Sequence, residues 1–195
     1  MEHEVLLTGI GGQGIQLAAQ TLAIAAIKEG REVMLFGTYG GSMRGGNSDS
    51  TVVIGDRPIL TPPTVTVARF AIGMHHEYWP GVASRLAPGA IAVTNSSIFQ
   101  PDPIPEDQHI LQIDASTLAT DMGIQRAATM IALGALAAAT RLVSIDALAS
   151  AAPEALPPYR QQHSEENVAA LRAGAALVGE PLINAWQDNR QKVAP

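Results

Sequence analysis

The sequence contains no cysteine among its 195 residues. This absence excludes disulfide bonds, a thiol nucleophile and iron–sulfur clusters held by thiolates of this chain. An enzyme that passes electrons through such clusters would therefore need other subunits to hold them.

Charged and aromatic residues are also scarce, at 15% and 4% of the sequence. Lysine and arginine form no cluster and the formal net charge is −6, which disfavours nucleic-acid binding because such proteins present a basic face. Hydrophobic residues make up 47%, a share typical of a well-buried globular core. The abundance of alanine favours closely packed helices over a β-sandwich.

Long hydrophobic runs are missing as well. The longest, residues 130–139, has about half the length that a membrane-spanning helix needs. The first five residues, MEHEV, lack the basic start and the apolar stretch of a signal peptide. We expect a soluble, cytoplasmic protein that binds neither nucleic acid nor a membrane.

Strand and helix signals alternate early in the chain, and helices dominate its last third. An apolar run, a glycine turn, a helix closed by Gly30 and a second apolar run predict a βαβ unit. The alternation predicts one α/β domain over residues 1–195, with a mainly parallel sheet covered by helices. The predicted strands are residues 4–8, 32–36, 50–54, 65–72, 90–94 and 109–113. The predicted helices are residues 15–28, 77–86, 124–141, 144–152 and 164–178, with a turn at Pro88-Gly89 and a break at Pro153.

The clearest motif is the sequence GIGGQG at residues 9–14, between the first strand and the first helix. Glycines permit a tight turn, and the helix N-terminus behind them presents free N–H groups to a phosphate or carboxylate. The alternative is that the glycines only allow close strand–helix packing. The predicted anion-binding residues are Gly9, Gly11, Gly12, Gln13 and Gly14. A simple NAD site is disfavoured because residues 35–38 (LFGT), after the second strand, contain no acidic residue.

A second glycine-rich segment covers residues 38–48. Its ordering is entropically expensive, so a ligand or a partner chain is expected to hold it. Arg44 can pair with a carboxylate or a phosphate, while the alternative is a surface loop with a solvated arginine. The predicted binding residues here are Tyr39, Arg44, Gly45 and Gly46. We predict no metal site at His75-His76-Glu77, because no third ligand follows at helical spacing.

These segments together resemble the gamma subunit of 2-oxoacid:ferredoxin oxidoreductases, the pyruvate, 2-oxoglutarate and indolepyruvate type. The resemblance rests on residues 9–14, Tyr39-Gly40, residues 44–46, residues 126–134 (RAATMIALG) and residues 167–174 (NVAALRAG), and it spans about residues 4–178. Two positions depart from the family pattern. Gly41-Ser42 replace a segment that often carries an acidic residue, and Thr129 stands where relatives often have asparagine.

The resemblance implies a Rossmann-like fold and a role in oxidative decarboxylation of a 2-oxoacid to an acyl-CoA. It implies that thiamine diphosphate, magnesium and iron–sulfur clusters are held by partner chains: thiamine-binding alpha and beta subunits and a cluster-binding subunit. Coenzyme A is then a co-substrate and a ferredoxin-type protein the electron acceptor. Consistent with this, Gly55-Asp56 is followed by Arg57, without the Gly-Asp-Gly start of a thiamine diphosphate motif.

The isolated chain is therefore expected to have no catalytic residues, no bound cofactor and no activity. Two alternatives from other classes stay open on the sequence. One is a stand-alone nucleotide-binding or sensor module that kept only the glycine loop, and the other is an independent NAD(P)-dependent enzyme. The missing acidic residue after the second strand counts against the latter.

Overall fold

The computed structural model describes residues 1–39, 45–60, 65–101 and 104–187. These residues form one six-stranded sheet with helices packed against it. The strands are β1 (Glu2–Ile10), β2 (Glu32–Tyr39), β3 (Asn47–Gly55), β4 (Ala68–Gly73), β5 (Leu86–Asn95) and β6 (His109–Ile113). The helices are α1 (Ile15–Lys28), α2 (Trp79–Ala83), α3 (Ala115–Asp121), α4 (Ala128–Thr140), α5 (Ile145–Ala155) and α6 (Ser164–Ala176).

The strand order is β2-β3-β1-β4-β5-β6, and β3 runs antiparallel to both of its neighbours. The remaining strands run in one direction, with β1, β4, β5 and β6 paired in parallel. The mainly parallel α/β sheet is thus confirmed, and so is the βαβ unit: β1, α1 and β2 follow one another with the two strands parallel, although β3 lies between them in the sheet. The chain between Tyr39 and Asn47 is too short for the crossover that two parallel neighbours need, so β3 turns back against β2.

Helix α1 has the predicted bounds at both ends. Its apolar positions recur at helical spacing, and its C-terminus is closed by Gly30, whose φ of 75° is in the left-handed region. The Gly30 N–H donates to Ile27 O at 2.9 Å and the Arg31 N–H to Ala26 O at 3.0 Å, the two bonds of a Schellman motif.

The two faces of the sheet are covered unequally. Side chains alternate across a strand, so Val5 and Leu7 point to the face covered by α1 and α4, while Leu6 points to the other. On that second face the short helix α2 contributes Trp79 and Val82. The larger core therefore lies between the sheet and the helices α1 and α4, on the side that also carries α5 and α6.

The helical last third is confirmed, with α4 and α6 shorter and α5 longer than predicted. Helix α4 begins only at Ala128, because Gly123 has φ 73° and a 3₁₀ turn, Gln125–Ala127, precedes it. Ser144 caps α5, its hydroxyl accepting from the Ala147 N–H at 3.1 Å. Pro153 does not separate two elements but lies inside α5, two residues before that helix ends.

Two further boundaries were predicted wrongly. Pro88-Gly89 is no turn between elements but part of β5, where Gly89 has φ 73° and the pairing with β4 shifts register. The predicted helix at residues 77–86 shrinks to Trp79–Ala83, because Leu86 already belongs to β5. In the described ranges no helix is both long enough and apolar enough to cross a bilayer.

Candidate functional site: a glycine turn and the cleft beside it

The predicted glycine turn lies at the carboxyl end of β1, at the edge where open α/β sheets bind ligands. Gly12 and Gly14 have φ of 101° and 83°, values that a side chain disfavours. Gly9 is different, because it is still inside β1 and pairs with Ser48. A Cβ on Gly9 would stand 2.5 Å from Gln13 Oε1, so this glycine makes room for a side chain of the turn.

Three hydrogen bonds hold the turn in place. The Gly11 N–H donates to Gly46 O at 2.8 Å, and the Gln13 N–H donates to Ile10 O at 3.1 Å. The Thr129 hydroxyl, from α4, donates to the carbonyl of Gln13. The structure therefore brings the two predicted glycine segments together, with Gly45 (φ 90°) preceding the contact at Gly46.

The Gln13 side chain bridges the ends of two strands. Its Oε1 accepts from the Ile10 N–H at 2.9 Å and its Nε2 donates to Met74 O, just beyond β4, at 3.2 Å. The chain connections diverge between β1 and β4, which is where such sheets usually open a ligand crevice. Here the Gln13 amide occupies that gap, so its polar atoms are engaged within the fold.

The first turn of α1 has backbone N–H groups that find no acceptor among the residues that the structure describes. The N–H groups at the start of a helix have no intrahelical partner, and Gly14 at the N-cap offers no side chain to satisfy them. No acidic residue stands in this turn, so the positive end of the helix dipole is not neutralised by a side chain of its own helix. An anion would find both donors and favourable potential here.

This turn opens into a cavity of about 630 Å³, which we call the α1–α6 cleft. Its second wall comes from segments more than 100 residues further along the chain: the 3₁₀ turn before α4, the end of α5, the 3₁₀ turn Pro158–His163 and the start of α6. The residues lining it are Gly12, Gly14, Ile15, Gln16, Leu17, Gln20, Ser48, Arg126, Ala127, Ala155, Leu156, Pro157, Arg160, His163, Glu166 and Asn167.

Positive charge prevails in the cleft. Neither Arg126 nor Arg160 forms an ion pair with a residue in the described part of the chain. The one carboxylate among the described lining residues, Glu166, has its Oε2 2.9 Å from His163 Nδ1 and is thereby engaged. Sequence reasoning missed these residues as site residues, although Arg126 and Asn167 begin the two later stretches of the family resemblance.

A carboxylate at this sheet edge also escaped sequence reasoning. Asp49 of β3 lies directly between Thr38 of β2 and Thr8 of β1. Its Oδ1 accepts from the Thr8 hydroxyl at 2.6 Å and its Oδ2 from Asn47 Nδ2 at 2.8 Å. It shares the face of Leu6, away from the α1–α6 cleft. The pattern of an NAD site expects an acidic residue at the end of the second strand. Asp49 instead lies near the start of β3, which runs antiparallel to β2, so that pattern does not identify it.

The other predicted features are placed as follows. His75 and His76 lie between β4 and α2, and their rings stack with centroids 4.4 Å apart. No group of three metal-ligating side chains occurs among the residues that the structure describes. Arg44 lies outside the described residues, and of Tyr39 only the backbone, at the end of β2, is described.

Comparison with known proteins adds the family. The model of the pyruvate ferredoxin/flavodoxin oxidoreductase family matches residues 4–177. The chain belongs to this family. Among its relatives, the 2-oxoglutarate synthase subunit KorC of Methanothermobacter marburgensis is 30% identical over 187 residues, which are 92% of this chain and 98% of KorC.

Solved structures share the fold. The gamma subunit of a keto/oxoacid ferredoxin oxidoreductase from Geobacter sulfurreducens superposes with a TM-score of 0.72 at 27% identity, over 90% of this chain and 95% of that one. The 2-oxoglutarate:ferredoxin oxidoreductase from Magnetococcus marinus, solved with 2-oxoglutarate, coenzyme A and succinyl-CoA bound, gives a TM-score of 0.78 at 22% identity, over 94% of this chain and 33% of that chain. In that enzyme the same fold is thus one third of a longer polypeptide.

Proposed function

We propose that this chain is the gamma subunit of a 2-oxoacid:ferredoxin oxidoreductase. The complex would oxidatively decarboxylate a 2-oxoacid with coenzyme A, giving an acyl-CoA and carbon dioxide and passing two electrons to ferredoxin. The observation that carries the proposal is similarity over nearly the full length of both chains to KorC and to the Geobacter gamma subunit. The family name and the KorC name point to different 2-oxoacids, so the proposal leaves the acid open.

The metal-ligating side chains of this sequence indicate which cofactors other subunits must hold. Thiolate-held clusters need cysteines, and the sequence has none. We therefore assign the iron–sulfur clusters, thiamine diphosphate and magnesium to partner chains: thiamine-binding alpha and beta subunits and a cluster-binding subunit. Residues 1–195 are proposed to form one gamma-type domain of this cytoplasmic assembly.

The task left to this chain is to bind and orient coenzyme A. The first turn of α1 offers uncapped N–H groups to an anion, and it opens into a cleft of about 630 Å³, a volume typical of cofactor sites. Gly12 and Gly14 shape the backbone there, Gly9 and Gln13 brace it, and the Gly11–Gly46 bond ties it to the second glycine segment. Gly45, Tyr39 and Arg44 complete the proposed site from that segment.

Reconstitution tests this function. The purified chain should contain no iron and should not decarboxylate 2-oxoacids when thiamine diphosphate and an acceptor dye are added. Mixed with the thiamine-binding and cluster-binding subunits, it should co-elute with them and restore coenzyme A-dependent acceptor reduction. Turnover by the chain alone would refute the proposal. Failure to associate with any of those subunits would leave the stand-alone nucleotide-binding module as the better account.

A further inference from the structure

We propose that the outer edge of β2 binds an extended segment of another chain as an added strand, and that this segment carries lysine or arginine on either side of an apolar residue. Strand β2 lies at one end of the sheet, and no strand in the described part of the chain pairs with its outer side. The inference rests on the proposed function only in taking the segment from another subunit of the complex.

The backbone of β2 is regular along its whole length. All eight residues, Glu32–Tyr39, pair with β3 in unbroken register, so the strand has no bulge. Natural edge strands are usually protected from pairing by lysine, proline, a bulge or a short length. The sequence of β2, EVMLFGTY, has neither lysine nor proline. Its outward N–H and C=O groups can therefore form a ladder with an incoming strand.

Apolar side chains stand on both faces of this edge. Phe36 is 52% exposed and Leu35 is 40% exposed. Neighbouring residues of a strand point to opposite faces of the sheet. Leu35 lies beside Val52 on the face covered by α1, and Phe36 lies beside Thr51 on the face of Leu6. An added strand would cover Leu35 with one side and Phe36 with the other.

The opposite edge of the sheet lacks these features. Strand β6 has only five residues, and its exposed side chains, His109 and Gln112, are polar. A short edge strand with polar side chains is the usual protected form. Exposed apolar side chains next to each other mark interaction surfaces, so β2 is the edge that a partner would use.

Two carboxylates flank Phe36 on its face of the sheet. Glu32 precedes Phe36 on the same strand and is exposed, and Asp49 lies beside Thr38, two residues after Phe36. Neither carboxylate forms an ion pair with a residue in the described ranges. Helix α2 packs chiefly over β1 and β4, away from β2. A strand with a basic residue near each carboxylate and an apolar residue against Phe36 would complement this edge.

A second copy of this chain fits the same edge poorly. When two β2 strands pair antiparallel about Leu35, Glu32 of one copy lies opposite Thr38 of the other, which is the residue beside Asp49. The two-fold symmetry repeats this approach of two carboxylates at both ends of the pair, and like charges across strands are destabilising. The formal net charge of −6 on each copy adds to the repulsion. The charges therefore select a different, basic chain.

Amide hydrogen exchange and binding affinity in the reconstituted complex test the inference. The test variants are Phe36→Lys, which removes the apolar contact and opposes a basic partner, and Glu32→Lys, which reverses one flanking charge. Leu60→Lys is the control for the first, since Leu60 is 91% exposed and lies outside the sheet. Glu180→Lys is the control for the second, since it reverses an exposed carboxylate beyond α6.

The outward amides of β2 should exchange about tenfold or more slowly in the complex than in the free chain, while those of β6 should not change. Phe36→Lys should weaken association with the other subunits about tenfold or more. Glu32→Lys should weaken it roughly threefold, and added salt should reduce this effect. The two controls should stay within about twofold of the wild type. Because Phe36 and Glu32 are exposed, both variants should keep the melting temperature of the free chain.

A synthetic strand peptide tests the edge without any other subunit. Its roughly ten residues alternate valine and threonine around a central phenylalanine, with lysine at both ends, and a matched peptide carries glutamate in place of lysine. The lysine peptide should slow amide exchange in β2 of the full chain, and the glutamate peptide at the same concentration should not. Phe36→Lys should remove the effect of the lysine peptide.

The outcomes separate this inference from the proposed function. If the complex forms with equal affinity in every variant and exchange in β2 is unchanged, the inference is wrong while the proposed function stands. If no complex forms but the lysine peptide protects β2 in the wild type and not in Phe36→Lys, the edge assignment holds and the subunit proposal falls. If neither the complex nor the peptide protects β2, the inference is wrong. A concentration-dependent dimer that Phe36→Lys abolishes would assign the edge to a second copy and overturn the basic partner.

Discussion

Gly134 of α4 and Gly174 of α6 occupy the crossing of their two helices, and each lies against the backbone of the other helix. A Cβ on Gly134 would stand 2.0 Å from the carbonyl oxygen of Leu171, and one on Gly174 would stand 1.8 Å from that of Ile131. Backbone atoms cannot move aside as a flexible side chain can. The helices that carry Thr129, which braces the glycine turn, and Asn167 are therefore joined through two positions that tolerate only glycine.

Alanine at either position is expected to lower stability strongly. Gly134→Ala and Gly174→Ala should each lower the free energy of unfolding by about 3 kcal/mol or more, the upper range for overpacked sites. Urea unfolding followed by circular dichroism measures this. Gly81→Ala is the control, since no atom lies within 4 Å of the added methyl and Gly81 is in a helix, where alanine is preferred. Equal stability of all three variants would contradict the packing described.

The Thr129 hydroxyl is expected to stabilise the glycine turn through its bond to the Gln13 carbonyl. Thr129→Val keeps the shape and removes the donor, and it should cost about 1–2 kcal/mol because a part-buried carbonyl loses its partner. Thr129→Ser keeps the hydroxyl and should have nearly the free energy of unfolding of the wild type, lowered only by the loss of one methyl group. Coenzyme A affinity should fall with Thr129→Val and recover with Thr129→Ser. A valine variant with wild-type stability and affinity would show that the bond contributes nothing.

Acid stability is expected to depend on His3. This side chain is 1% exposed and packs against Phe70 and Trp186. Burial, with a smaller contribution from Arg69, lowers its pKa from 6.5 to about 4. Between pH 6.5 and 4, His3 therefore binds a proton in the unfolded chain but not in the folded chain. The contribution of neutral His3 to the free energy of unfolding is fully present above pH 6.5. It is lost as pH falls toward 4, by roughly 3 kcal/mol for a pKa shift of this size.

His3→Phe should remove this part of the pH dependence. The slope of unfolding free energy between pH 6.5 and 4 should flatten relative to the wild type, because the variant has no proton to take up at this position. The exposed His76 provides the control, and His76→Gln should keep the wild-type slope. Parallel slopes for wild type and His3→Phe would mean that another group governs acid unfolding.

Arg44 is expected to act in the assembled enzyme, since its glycine-rich neighbourhood gives it little to pack against. Arg44→Ala should weaken association with the thiamine-binding subunits or raise the coenzyme A concentration needed for half-maximal rate. The melting temperature of the free chain should not change. The assignment is wrong if the variant unfolds the free chain while the reconstituted activity per folded subunit is unchanged.

The sequence predicts local structure well where one signal dominates. Helix α1 follows from its apolar spacing and from Gly30, and β6 from a short apolar run after prolines; both have the predicted bounds. The strand order could not be predicted, because nothing in the sequence of β3 indicates that this strand enters the sheet between β1 and β2. Two predictions that rested on prolines were wrong. Pro88 lies in a strand with shifted register and not in a turn, and Pro153 lies in the last turns of a helix and does not break it.

Only one wall of the candidate site could be predicted from the sequence. The glycine turn carries its own signature, since a strand, closely spaced glycines and a helix are neighbours along the chain. The opposite wall has no such signature, because Arg126, Arg160 and Asn167 meet the turn only through the packing of α4, α5 and α6. The binding roles of the glycine segments, and of Tyr39 and Arg44 above all, stay predictions until a ligand or partner is observed on them.

The cleft has a consequence for biosynthesis, because its walls come from distant parts of the chain. Gly14 leaves the ribosome early, whereas Arg160 and Asn167 follow about 150 residues later. A nascent chain that stops before α6 has the glycine turn but only half a site, and it also lacks the helix that packs on α4. On the proposed function, coenzyme A binding would require that translation has passed α6, and incomplete products would lack half of the proposed site.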